Sequence, residues 1–263
     1  MSVLETEGLT RRFGALTAVD ALTISVEAGE VFALLGANGA GKTVTMKMLT
    51  TLLRPSAGNA RVAGFDIVHH AGEVRRVIGY VPQLVSADGA LTGYENLLIF
   101  AKLYDIPRVE RGDRIQEALT FMGLAEVRDK LVREYSGGMI RRLEIAESML
   151  HRPPVLFLDE PTVGLDPGAR EAVWERIADL RSRYGTTIVF TTHLMDEADH
   201  LCSRVAIMRR GRMIAVGTPR DLKASVGGPG TTMDDVFIRY AGAEAAGTYL
   251  ETSQVRRTAQ RLE

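Results

Sequence analysis

What this 263-residue chain lacks already narrows its chemistry. A single cysteine, Cys202, excludes an intrachain disulfide framework and fits a small buried hydrophobe in a reducing compartment. No apolar run approaches the roughly 18–20 residues needed to cross a bilayer. The start, MSVLETEGLTRRF, lacks the basic-then-apolar order of a secretory signal. Neither charge sign is in surplus. Lys plus Arg number 32 against 33 Asp plus Glu, so no nucleic-acid surface is implied globally and no nucleic-acid partner is expected. There is no Asn-Lys-x-Asp motif to read guanine, no internal repeat and no low-complexity tract. What remains, at 46% hydrophobic and 25% charged, suffices for one large or two small packed units. The polypeptide itself is expected to be soluble and cytoplasmic, reaching a membrane only through a partner.

Along the chain, Leu22–Val26 alternates weakly before an Ala28-Gly29-Glu30 turn. Val31–Leu35 then reads as a buried strand that runs into GANGAGKT, and Lys42–Leu52 carries helical spacing. Arg76–Val81 reads as another strand. From about 84 to 150 only helical patterns recur, at Glu95–Tyr104, Arg111–Met122 and Met139–Leu150. The core pattern resumes with strand Val155–Leu158, helix Ala169–Tyr184, strand Thr186–Thr191, and a hairpin of Val205–Met208 with Met213–Val216. This predicts an α/β nucleotide-binding core with a helical insertion at about 84–150. The core is expected over 1–220, followed by a short C-terminal extension, 221–263, whose charged end frays.

Strand, glycine loop and helix in that order are the context of a phosphate site. The glycines of Gly36-Ala37-Asn38-Gly39-Ala40-Gly41-Lys42-Thr43 allow successive N–H groups to turn around phosphate oxygens. The helix start adds free N–H groups and a positive dipole end. Lys42 is expected to reach the β and γ phosphates and Thr43 to hold Mg²⁺. This motif alone does not separate ATPase, GTPase and small-molecule kinase.

Strand Val155–Leu158 delivers Asp159 and Glu160, whose side chains are expected to leave the extended chain in opposite directions. Asp159 is then the candidate for Mg²⁺, and Glu160 the base that polarises the attacking water. His193 follows another apolar strand. By itself it fits a structural hydrogen-bonding residue as well as a γ-phosphate contact. Gln83, also after a strand, is a candidate contact to Mg²⁺ or water, or a plain exposed amide. In Tyr135-Ser136-Gly137-Gly138-Met139, Ser136 supplies a hydroxyl and the glycines a close backbone approach at a helix start. Behind it Ile140, Leu143, Ala146 and Met149 form an apolar stripe, with Arg141 and Arg142 expected to face away.

From roughly Leu4 to Gly217, this ordered set resembles an ATP-binding-cassette (ABC) ATPase. The resemblance implies a P-loop NTPase core with an antiparallel β subdomain and an inserted α-helical subdomain. GANGAGKT matches the Walker A loop, with nucleotide contacts extending to Val44. Gln83 matches the Q-loop, Ser136-Gly137-Gly138 the signature, LFLDE the Walker B strand with its catalytic glutamate, Asp166 the D-loop, and His193 the switch histidine. Phe13 matches the aromatic that stacks on adenine. The resemblance also implies ATP and Mg²⁺, and two subunits bound head to tail. Ser136 of each would close on the ATP of the other, and a separately encoded integral membrane permease would hold the pair at the cytoplasmic side of the membrane. Three positions depart from the family pattern: Tyr135 for Leu, Met139 for Gln and Ala37 for Pro.

The tail, GTPRDLKASVG then TTMDDVFIRYAG, is similar to ATPases of two-component exporters, including the daunorubicin/doxorubicin-resistance type. Export of a drug-like, antibiotic or lipid-like amphiphile is the function this implies. The rival readings are a non-transport ABC ATPase of translation or DNA repair, and an ATP-responsive adapter without essential turnover. A GTP switch is weaker still.

Overall fold

The computed structural model describes residues 1–242. The expected fraying of the charged end falls on 243–263, outside the described residues. Strands β1 (Ser2–Phe13) and β2 (Leu16–Glu27) open the chain as an antiparallel pair. Strand β3 (Val31–Leu35) runs through the glycine loop into helix α1 (Lys42–Leu49). Next come β4 (Ala57–Val62), β5 (Phe65–Asp66), α2 (Ala71–Arg76) and β6 (Ile78–Val81). Three helices follow without an intervening strand: α3 (Gly93–Leu103), α4 (Arg108–Phe121) and α5 (Gly137–Met149). The chain continues through β7 (Val155–Asp159), α6 (Pro167–Tyr184), β8 (Thr187–Thr192), α7 (Met195–Leu201), β9 (Arg204–Arg209) and β10 (Arg212–Gly217). Helices α8 (Pro219–Val226) and α9 (Met233–Ala241) close it.

The strands form two sheets. One, in the order β2-β1-β4-β5, is antiparallel. The other, β10-β9-β3-β8-β7-β6, is parallel except for its β10 edge. The run Val31–Leu35 is apolar throughout because both faces of this sheet are covered. Val31, Ala33 and Leu35 pack with the helices, whereas Phe32 and Leu34 pack toward the antiparallel sheet. Strand β7 divides in the same way, Leu156 and Leu158 to one side, Val155 and Phe157 to the other. Because β6, β3, β7 and β8 are parallel, the residues that follow them meet at one edge of the sheet, where α/β proteins place their ligands.

Several sequence expectations need correction. Arg76 closes α2 and Val77 caps it, so the strand begins only at Ile78. Strand β1 was not foreseen. Its pairing with β2 shifts register repeatedly, around Gly8 among other places, which breaks the alternation that marks a strand. Arg141 does not face away: it is 6% exposed and packs inward. Cys202 as a residue is half-buried, and burial of its thiol first, then Glu197, Glu30 and Asp199, push the thiol well up. Beyond residue 220, residues 227–230 are exposed, as expected of the loose stretch there, whereas Val236 and Phe237 of α9 are buried in the helix-side core.

Candidate functional site: a phosphate loop and a paired-carboxylate strand end

The loop after β3 is set by backbone demands that side chains cannot meet. Gly41 has φ +102°, and a Cβ there would lie 2.6 Å from the Ala18 carbonyl oxygen. Lys42 is buried. Its Nζ donates to the carbonyls of Gly36 (2.8 Å) and Ala37 (3.3 Å) and lies 3.3 Å from Glu160 Oε1. The ammonium is therefore anchored at the mouth of the loop. Burial lowers its pKa, and the Glu160 carboxylate opposes that shift. Gly36, Ala40 and Gly41 are buried, Ala37, Thr43 and Val44 half-buried, and Asn38 and Gly39 exposed at the tip.

The two carboxylates at the end of β7 diverge, for a reason other than the pleat. Asp159 ends the strand, whereas Glu160 has φ +50°, a left-handed conformation that costs a non-glycine residue on the order of 1–3 kcal/mol. The turn is fixed by Thr191 on neighbouring β8. Its carbonyl (3.1 Å) and hydroxyl (3.0 Å) both accept from the Glu160 N–H, and the hydroxyl donates to Asp159 Oδ1. Thr191 was not singled out in the sequence; the signal that could have found it is its register opposite Asp159 on the adjacent strand.

Asp159 also accepts from the Thr43 hydroxyl at 3.2 Å. Burial raises its pKa, while hydrogen bonds from Thr191 and Thr43 work the other way. An alcohol oxygen beside a buried carboxylate with a destabilised charge is an oxygen donor set that fits Mg²⁺. Gln83, the third expected metal contact, is instead turned to Glu160, its Nε2 3.4 Å from Oε2.

Glu160 is the convergence point. Lys42 reaches Oε1, and Gln83 and His193 Nδ1 (3.2 Å) reach Oε2. The His193 contact is close, although its geometry falls short of a well-formed hydrogen bond. Burial pushes Glu160 up, yet His193 and Lys42 together outweigh it and hold the carboxyl below its ordinary value. A buried, ionised carboxylate flanked by a lysine, a histidine and an amide is an arrangement that can orient and polarise a water.

Ser136 caps α5, its hydroxyl accepting from Met139 N at 3.3 Å, and Ser136 and Gly137 are exposed. Gly138 is different. It is buried, and a Cβ there would meet Ala169 Cβ of α6 at 2.7 Å. Its smallness thus serves packing within the chain. Tyr135 is buried and tied through its hydroxyl to the Val127 carbonyl (2.7 Å), which settles how this departure is accommodated. Asp166 caps α6, accepting from Ala169 N at 2.9 Å. Phe13, at the end of β1, is 44% exposed, with the Arg11 guanidinium 4.5 Å from its ring centre.

Comparison with known proteins agrees with this geometry. The profile of the ABC transporter family matches residues 19–163. The chain is 46% identical over 224 residues to the daunorubicin/doxorubicin resistance ATP-binding protein DrrA of Streptomyces peucetius, covering 85% of this chain and 68% of that one. It is 44% identical over 220 residues to the Nod factor export ATP-binding protein I of Ralstonia nicotianae (84% and 68% covered). It is 38% identical over 226 residues to the linearmycin resistance ATP-binding protein LnrL of Bacillus subtilis (86% and 72%). Among solved structures, an ATP-binding subunit of an ABC transporter superposes with a TM-score of 0.80 at 29% identity, over 90% of this chain and 99% of that one. The cbiO1 protein of Clostridium perfringens, part of the cbiONQ complex, gives 0.78 at 29% identity, over 85% and 91%. With its phosphate loop, strand-end carboxylates and signature helix in place, this chain belongs to the ABC transporter family, as one of its ATP-hydrolysing subunits.

Proposed function

We propose that this subunit works as a homodimer on the cytoplasmic face of a membrane, powering export of a drug-like, antibiotic or lipid-like amphiphile through a separate permease. The convergence of Lys42, Gln83 and His193 on Glu160 carries the catalytic part of this reading. Relatives named for daunorubicin/doxorubicin resistance, Nod factor export and linearmycin resistance support the cargo class. Among the described residues no helix is long and apolar enough to cross a membrane; assigning the translocation path to another polypeptide is supported by the relatives' being named ATP-binding proteins. Leu84 and Val85, 81% and 61% exposed directly after Gln83, are apolar residues a membrane subunit can press on.

In the proposed cycle ATP lies on Gly36–Val44 with its adenine against Phe13. Lys42 holds the β and γ phosphates by charge. Thr43 and Asp159 would hold Mg²⁺, which supplies charge neutralisation at the phosphates when bound. Glu160, kept ionised by His193 and Lys42, orients a water toward the γ phosphate and takes up its proton. Gln83 and His193 position that carboxylate and complete the shell around the γ-phosphoryl group as its bond to the departing ADP breaks and its bond to the water oxygen forms. Ser136 and Gly137, exposed at the start of α5, close the partner's nucleotide, with Asp166 beside them.

The discriminating experiment is Glu160→Gln in the full chain, with ATP binding, phosphate release and dimerisation measured together. Retained binding, a persistent dimer and lost turnover support the mechanism. Unchanged phosphate release refutes the role of Glu160. Cargo is tested separately, by co-expression with a candidate membrane permease and a drug-accumulation assay.

A further inference from the structure

We propose that Arg141 and Glu144 are positioning residues that clamp the signature helix to the glutamine loop. Through them, movement of Ser136 against a partner's ATP is delivered to the Gln83–Glu160 contact of the same subunit. The inference rests on the cross-subunit role of Ser136 proposed above.

The loop between β6 and α3 is tied at its far end through Asp88, Gly89 and Leu91, and α5 supplies the anchors on both sides of Leu84-Val85. The Arg141 guanidinium donates to the carbonyls of Pro82 (2.8 Å) and Gln83 (3.1 Å). Three residues further along α5, Glu144 Oε1 accepts from Ser86 N (2.5 Å) and Ser86 Oγ (3.0 Å). The two side chains pair at 3.0 Å, as an i, i+3 charge pair should. They are 6% and 2% exposed, whereas Leu84 and Val85 between the anchor points stand out in solvent. A buried charged pair spending its hydrogen bonds on an irregular loop sets where that loop sits.

The path has two ends. Arg141 lies five residues from the Ser136 cap, about 7.5 Å along a helix that transmits displacement as a rod. Gln83, whose carbonyl Arg141 holds, extends its own amide to Glu160 Oε2 at 3.4 Å. A shift of α5 therefore moves the backbone of the residue that touches the catalytic carboxylate. The fork geometry of arginine is needed for two successive carbonyls, and lysine, a point charge, does not reproduce it.

The test is a double-mutant cycle on the full chain, with turnover rate, ATP dissociation constant and melting temperature measured for Arg141→Gln, Arg141→Lys and Glu144→Gln. Each is made in the wild-type and in the Gln83→Ala background. The clamp predicts that each variant lowers kcat by about fivefold or more with ATP affinity little changed, and that this loss largely disappears once Gln83 is already Ala. A purely structural pair lowers melting temperature equally in both backgrounds and gives multiplicative losses of rate, which overturns the clamp, as does wild-type turnover by Gln83→Ala. Should Arg141→Gln fail to fold, Arg141→Lys, which keeps the charge beside Glu144, carries the same comparison. Non-additivity between Arg141 and Gln83, in a chain whose Ser136 proves to act only within its own subunit, leaves the clamp standing and removes only its cross-subunit input.

Discussion

Glu160 sits in a left-handed backbone conformation fixed by Thr191, and its carboxylate meets three polar side chains. Replacing it with Gln is expected to reduce turnover by about 10²–10⁴-fold, the usual worth of a general base, with ATP binding preserved. Thr191→Val keeps the shape but removes the hydroxyl shared by Asp159 and Glu160 N. It is expected to lower kcat more than ATP affinity, as single-turnover phosphate release will show. A third residue-scale prediction concerns Glu147, buried on α5. Burial first, then the Glu144 carboxylate, push it up to about 8 from 4.5. Because the folded value is the higher one, folding takes up a proton, so stability is whole below the unfolded pKa and falls as pH rises toward about 8. His151, held down to about 4 by burial, is neutral over the upper part of that range. Urea unfolding at pH 6.5 and 8 should show the wild type losing about 2 kcal/mol that Glu147→Gln keeps. Equal slopes in both proteins refute the assignment. At this scale the sequence was legible in which residues meet, as Lys42, Thr43, Asp159, Glu160 and His193 do. It was illegible at Arg141 and Glu144, because a helical charge pair reads as a solvated face until the loop it clamps is seen.

Helix α5 joins three tasks: a capped, exposed start, a buried glycine against α6, and a charged inner face on the glutamine loop. Gly138→Ala places a methyl group 2.7 Å from Ala169 Cβ and must shift one of the two helices. Overpacking of this kind costs about 1–3 kcal/mol, measurable as a lower urea midpoint. An unchanged midpoint would mean the helices separate freely there. The same helix shows why glycine was ambiguous in sequence: at exposed Gly137 a Cβ would meet only the Leu165 side chain, at 3.3 Å, whereas at Gly138 the space is taken by α6. Elements with sustained periodicity, such as α6, and strands buried on both faces, such as β3, β7 and β8, were legible to within a few residues. Strand β1 was not, since register shifts interrupt its alternation.

At the scale of the molecule, the phosphate loop and the strand-end carboxylates meet at one edge of the sheet, whereas Ser136 and Gly137 are exposed, and among the described residues the Ser136 hydroxyl bonds only to its own helix. That division is the basis for assigning the two halves of one working site to two copies of the chain, and it is most directly tested by mixing two inactive variants. Glu160→Gln disables a subunit's own carboxylate, and Ser136→Arg blocks what it offers a partner. In a head-to-tail dimer of one of each, one site carries both defects and the other carries neither. The account predicts that phosphate release, absent from each variant alone, returns on mixing in proportion to the heterodimer formed. A mixture that dimerises on ATP yet stays as inactive as its components would contradict it.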